Sequence, residues 1–136
     1  MKINELPFNR MLGLQADGLR VLLVPQSEHG NHVNTVHATV LFGLAEASAG
    51  HLLMQRFPEL ADSHMAVLRE SSTKFRRPAE IGSQICAEGM LSEPAAKSFL
   101  ATLNSRGRTI VEIGVSVTQD GSEVLTGSFR WFVATR

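Results

Sequence analysis

The sequence predicts an α+β fold in which one antiparallel β-sheet wraps around a single long central helix. Two observations carry this expectation. From His37 to Met54 there is no proline and only one charged residue, Glu46, so a helix there is apolar nearly all round, as an enclosed helix should be. Beyond residue 63 the chain turns to long segments of period two. Val111, Ile113, Val115 and Val117 alternate on one face, as do Leu125, Phe129, Trp131 and Val133. Strands grouped after a helix place the sheet in an α+β arrangement, with the helix on one face of it.

The elements follow in order. Pro7 and the apolar residues Leu6, Phe8, Met11 and Leu12 predict a short N-terminal helix ending near Gly13. Asp17-Gly18 separates two short apolar runs and predicts a hairpin turn, with Pro25 closing the second strand. The polar segment 26–34, with one glycine and two asparagines, is a loop. On the long helix, Leu41, Leu44, Ala45, Ser48 and Leu52 fall on one side. Thr39, Gly43, Glu46, Ala47 and Gly50 fall on the other. Four long strands are expected: 63–76, 80–91, 109–118 and 124–133. A short amphipathic helix at 94–105 ends at Gly107, and Asp120-Gly121 makes a second hairpin turn.

With 136 residues the chain is expected to form one domain, residues 1–136. Thirteen basic residues balance thirteen acidic ones, which argues against a general nucleic-acid-binding surface. The one cysteine, Cys86, has no partner within the chain for a disulfide. The opening MKINELPFNRMLG lacks the apolar core of a signal peptide, and the stretch around Glu46 is too interrupted for a membrane span. A cytoplasmic protein with no membrane association is expected.

Three features suggest a site. Glu46 stands mid-helix in apolar surroundings, where an unpaired carboxylate is costly to bury. Either it meets a polar loop, a histidine or solvent at an oligomer rim, or its proton affinity is put to use. Gly43 and Gly50, one turn to either side, are expected to leave a groove beside it. Asn31, Asn34, Thr35 and His37 lead into the helix start, where exposed N–H groups and the positive dipole end suit a developing oxyanion; capping by Asn34 or Thr35 is the plainer role. Arg76 and Arg77, with Lys74, end one strand, and Arg106 and Arg108 flank Gly107. They are either solvated strand ends or a clamp for phosphate. No metal is expected. His29, His32 and His37 have no cysteine near them, and His51 and His64 are expected to be packing or surface residues.

The run NHVNTVHATVLFGLAEA, residues 31–47, resembles the helix signature of PaaI-type hotdog-fold acyl-CoA thioesterases. That signature is an Asn, a His-Gly-Gly opening the helix, and then a Phe-x-Leu-Ala-Asp/Glu. FRRPAEIG at 75–82 and the closing strands 107–133 resemble the same family. The resemblance implies the hotdog fold, hydrolysis of an acyl-CoA thioester to free acid and CoA, and assembly as a homodimer or homotetramer with sites built from two chains. It implies no cofactor, coenzyme A being part of the substrate. It casts Glu46 as general base or nucleophile, Asn31 as a holder of water or substrate, His37 as the motif histidine and the backbone N–H of Ala38 as the donor to the thioester carbonyl. The same groove puts Asn34, Thr39, Gly43 and Gly50 against substrate and offers Arg76, Arg77 and Arg106 to the phosphates of coenzyme A. The chain departs from the signature, because His37-Ala38-Thr39 replaces His-Gly-Gly. An alanine keeps the donor only at negative φ, and its side chain with that of Thr39 narrows the approach. A non-catalytic acyl-CoA-binding protein is therefore the alternative. A hotdog hydratase or dehydratase pairing His37 with Glu46 is a third.

Overall fold

The computed structural model describes residues 2–136. The helices are α1 (Pro7–Leu12), α2 (Ala38–Arg56) and α3 (Glu93–Arg106). The strands are β1 (Gln15–Asp17), β2 (Arg20–Leu23), β3 (His64–Phe75), β4 (Ile85–Met90), β5 (Arg108–Gln119) and β6 (Ser122–Thr135). All six strands join one sheet in the order β1-β2-β4-β5-β6-β3, and every neighbouring pair is antiparallel. The sheet curls around α2, which is the expected architecture.

The expected faces explain the packing. Leu41, Leu44, Ala45, Ser48 and Leu52 of α2 are buried against the sheet, as are Val111, Ile113, Val115 and Val117 of β5. Ser48 satisfies its buried hydroxyl by donating to the Ala45 carbonyl at 2.9 Å. Gly89 of β4 lets the helix lie close to the sheet. A Cβ there would stand 3.1 Å from Leu52 Cβ and 3.3 Å from the Ser48 carbonyl oxygen. In β6 both Val124 and Leu125 are buried, which strict alternation forbids. The register resolves this: Val117 faces Leu125 and Thr118 faces Glu123, so Val124 is the extra residue of a β-bulge.

One strand start differs clearly from expectation. The strand expected over 80–91 is β4 alone, Ile85–Met90. Residues before it form a turn, because the buried Gln119 side chain engages their backbone. Its Nε2 donates to the Glu80 and Ser83 carbonyls, each at 2.9 Å, and its Oε1 accepts from the Glu80 N–H at 2.8 Å. Those backbone groups are thereby withdrawn from the sheet ladder. The long helix ends at Arg56, before Pro58, and the Arg56 guanidinium donates to the Leu91 carbonyl and pairs with Glu93 at the start of α3.

β3 is an end strand, hydrogen-bonded only to β6, and most of its twelve residues are exposed. Its other edge presents a row of backbone donors and acceptors with no partner strand. Between the Leu68–Trp131 and Glu70–Arg130 pairs the register shifts by one, leaving Arg69 as a bulge residue. No helix among the described residues is long and apolar enough to cross a membrane.

Candidate active site

Glu46 is half-buried on α2 and lines a pocket of about 260 Å³ with Asn9 of α1, Gly50 and His51 of α2, Ala66 of β3 and Trp131 of β6. Among the described residues no ion pair reaches its carboxylate. Burial pushes its proton affinity above the ordinary carboxylate range, and no neighbouring charge contributes. Of the pocket's other polar side chains, Lys2 lines it without an ion pair among the described residues, whereas Asn9 and His51 are engaged. Asn9 Nδ2 donates to the Ile3 carbonyl at 3.1 Å, and His51 Nε2 donates to the Gly18 carbonyl at 2.7 Å. A desolvated carboxylate without a cationic partner, facing a space that fits a small acyl group, can accept a proton from water or attack an electrophilic carbon.

The two glycines beside Glu46 divide in role. Gly50 lines the pocket, and a Cβ on it would stand 3.3 Å from Trp131 Cη2. Gly43 does not line it. A Cβ there would stand 3.0 Å from Leu12 Cδ1 and 3.4 Å from Phe8 Cε1, so Gly43 is the seat of α1 rather than part of the groove. The expectation of a groove flanked by both glycines is corrected on that point, because the N-terminal helix fills the Gly43 side.

The helix start is built by its loop. Asn31 Oδ1 accepts from the Val33 and Thr35 N–H groups, each at 3.0 Å, and its Nδ2 donates to Thr35 Oγ1 at 2.8 Å. Asn34 is exposed, in the left-handed region at φ 62°, and donates its N–H to the Asn31 carbonyl. The helix cap is His37, not Asn34 or Thr35: its Nδ1 accepts from the Thr39 N–H at 3.0 Å. The cap falls to a histidine because Asn31 draws Thr35 into the loop. Ala38 is the first helical residue, exposed and at negative φ, so its N–H keeps the direction of an orphan helix-start donor. Thr39 is exposed beside it.

Distance separates these groups. Eight residues of helix at about 1.5 Å per residue put Ala38 about 12 Å from Glu46 along the axis. One protomer therefore does not bring its own helix-start donor and its own carboxylate to the same carbonyl.

The arginines fall into two groups, one just beyond the Phe75 end of β3 and one beside its middle and its His64 end. Arg76 and Arg77 are exposed just beyond Phe75, and Arg76 Nε donates to Thr126 Oγ1 at 3.0 Å. Arg106, Arg108 and Arg69 converge on a hollow of about 500 Å³ together with Phe132, over whose ring the Arg69 guanidinium lies at 4.0 Å. None of these three forms an ion pair among the described residues. Arg69 and Arg76 are seven residues apart, about 23 Å along an extended strand, so one small phosphate group does not meet both clusters in one protomer. No cluster of three His, Cys, Asp or Glu side chains among the described residues could hold a metal.

Sequence reasoning missed three contributors. Trp131 reads as an ordinary core residue of an alternating strand, and only the fold shows that its ring walls the pocket. Arg69 owes its position to a bulge that no motif marks. Ala66 is a small residue on an edge strand and carries no signal of its own.

The chain is similar in structure to a Pseudomonas aeruginosa protein of unknown function described as a probable thioesterase. The TM-score is 0.83 at 23% identity, over 98% of this chain and 91% of that one. It is similar also to a mutant of the phenylacetic acid degradation protein PaaI from Thermus thermophilus, with TM-score 0.68 at 19% identity over 93% and 97% of the chains. A third is a hypothetical thioesterase from Streptococcus pneumoniae with coenzyme A, with TM-score 0.66 at 18% identity over 86% and 78%. No curated protein sequence matches the chain. The sheet curled around α2, shared with these structures, makes this a hotdog-fold protein. Within that class the chain belongs to the family described as a domain of unknown function, DUF4442, which matches residues 9–133.

Proposed function

We propose that this protein hydrolyses an acyl-CoA thioester, releasing a carboxylic acid and coenzyme A. The observation that carries the proposal is Glu46: an unpaired, desolvated carboxylate mid-way along the enclosed helix, facing a pocket of acyl-group size. Its raised proton affinity brings it nearer the working range of a general base. Glu46 takes a proton from water. The resulting hydroxide adds to the thioester carbon, the C–S bond breaks, and the coenzyme A thiolate leaves with a proton. Coenzyme A and thioesterase appear in the descriptions of structures sharing the fold, which supports the choice of substrate class.

The oxyanion that forms on hydroxide addition needs a donor. The Ala38 N–H at the helix start is suited to that role by orientation and dipole. The gap of about 12 Å within one chain is bridged if two copies pair along the open edge of β3. A twofold axis there sets the two α2 helices antiparallel, so that the helix start of one copy approaches Glu46 of the other. Asn31 then acts by shaping the loop that presents this donor. The nucleotide phosphates of the substrate meet the Arg69, Arg106 and Arg108 hollow, chosen over Arg76 and Arg77 because its three guanidinium groups converge.

A panel of acyl-CoA thioesters, with free thiol and binding measured together, tests the proposal. Turnover that depends on Glu46 supports it. Binding without thiol release favours the second reading, a non-catalytic acyl-CoA-binding protein, for which Ala38 and Thr39 crowding the helix start is the observation in favour.

A further inference from the structure

Two cavities share a wall. The pocket beside Glu46, about 260 Å³, and a second cavity of about 690 Å³ between α1, β1 and α2 are both lined by Ile3 and His51. Residues that line two separate cavities form the partition between them. Ile3 and His51 are each 6% exposed, so this partition is closely packed. The two sides differ in character. On the Glu46 side Leu6, Ala47, Met54 and Trp131 offer apolar surface. On the far side stand the polar side chains of Arg10, Gln15 and Gln55.

The two halves of the partition are held differently. His51 projects from α2, and its ring is fixed by the Nε2 bond to the Gly18 carbonyl at 2.7 Å. Ile3 opens a single short turn, Ile3–Glu5, whose backbone is anchored where Asn9 Nδ2 donates to the Ile3 carbonyl at 3.1 Å. The Ile3 side chain is aliphatic, so its reach alone decides how far the pocket extends on that side. His51 is five residues beyond Glu46, about 7.5 Å along the helix axis. A zigzag hydrocarbon chain with bonds of about 1.5 Å covers that length in about six carbons.

We propose that Ile3 is a specificity-determining residue that closes the far end of the acyl pocket and limits the acyl group to about six carbons. The substrate class is thus a short-chain acyl thioester. Each methylene buried on the Glu46 side adds affinity, and a chain that meets Ile3 gains no more. The proposal rests on the acyl-thioester reading of the pocket and goes further in fixing the length of the acyl group.

The test measures binding of thioether analogues of acyl-CoA, in which the thioester carbonyl is a methylene, with straight chains from two to twelve carbons. In the wild-type protein affinity should climb about fourfold per carbon and stop climbing near about six carbons. Ile3→Ala removes three side-chain carbons and joins the two cavities, so the climb should continue for about two further carbons or more. Ile3→Phe lengthens the side chain, so the climb should stop about two carbons earlier. An identical stopping point in all three proteins overturns the proposal, as does a wild type whose affinity climbs through to twelve carbons. A longer limit in both variants also overturns it, since that reports a turn that has come loose. If Ile3→Phe does not fold, Ile3→Val takes its place. Valine is one carbon shorter than isoleucine, and its limit should fall between those of the wild type and Ile3→Ala; a limit equal to either overturns the proposal. Thiol release from the matching thioesters is followed in parallel. A limit that moves with Ile3 while no thiol appears sinks hydrolysis and leaves the length assignment standing. Thiol release with a limit indifferent to Ile3 does the reverse. Absence of binding by every analogue sinks both.

Discussion

Gly50 and Trp131 meet across the pocket so closely that a methyl group on the glycine would stand 3.3 Å from Cη2 of the indole. That separation is tighter than ordinary van der Waals contact, so the ring must give by a few tenths of an ångström. Gly50→Ala should gain about 1 kcal/mol of helix propensity and lose a comparable amount to the displaced ring. Thermal stability should stay within a few degrees of wild type. The indole should be pushed into the pocket, lowering kcat/KM for longer acyl chains more than for acetyl. A chain-length series in the two proteins checks this, and an unchanged profile would take Gly50 out of the pocket wall.

Glu46→Gln should move activity and stability in opposite directions. Loss of a general base lowers kcat by about 10²-fold or more. The carboxyl's folded-state proton affinity is raised by burial, so at neutral pH the native state holds a charge it would rather not carry. Below the ordinary carboxylate range both folded and unfolded forms are protonated, and the group is neutral in its effect. As pH rises through that range towards the raised folded value, the unfolded chain gives up its proton first and stability falls. The amide removes this penalty, so its Tm should exceed the wild type's at neutral pH, with the gap closing under acid. The wild-type pH–rate profile should show its acid limb above the ordinary carboxylate range. Scanning calorimetry and initial rates between acid and neutral pH measure both effects.

Much of the fold is legible in the sequence because its signals are periodic and local. The proline-free run around Glu46 and the alternating valines of β5 each report a buried face with no knowledge of their partners. The strand expected over 80–91 is too long because its turn is dictated by Gln119, about forty residues away in the chain. The site is half-legible for the same reason. Glu46 stands out as a lone charge in an apolar run, whereas Trp131 and Arg69 look ordinary until β6 and β3 are paired and the bulge is placed. Gly43 and Gly50 are equivalent on a helical wheel. Only the presence of α1 on one side separates a packing glycine from a pocket glycine.

Arg106→Ala should weaken substrates that carry nucleotide phosphates and spare those that lack them. A charge-assisted hydrogen bond to phosphate is worth about 1.5–3 kcal/mol, so KM for an acyl-CoA should rise about tenfold or more with kcat little changed. The matching acyl-pantetheine, which ends before the phosphates, should be hydrolysed equally by variant and wild type. Arg76→Ala and Arg77→Ala should leave both substrates unaffected, since their cluster lies at the far end of β3. A KM effect from Arg76 or Arg77 in place of Arg106 would exchange the two clusters.

The open edge of β3 should pair with a second copy, and catalysis should depend on that pairing. Twelve residues of unpartnered strand, with Met65, Val67 and Phe75 exposed along it, are a template for association. The protein should therefore sediment as a dimer or larger assembly at micromolar concentration. Lysines in place of Met65 and Val67 should shift it towards monomer, with activity falling in parallel. Complementation shows whether the site spans two chains. Ala38→Pro removes the helix-start N–H, and proline is tolerated at that first helical position. Neither Ala38→Pro nor Glu46→Gln should be active alone. After the two are unfolded together and refolded, random pairing makes half the dimers mixed, each with one intact site joining Glu46 of one chain to Ala38 of the other. Activity should then return to about a quarter of wild type. No recovery, with mixed dimers demonstrated by mass spectrometry, would place both groups' work within one chain, whereas an active Ala38→Pro variant would remove the Ala38 N–H from the reaction.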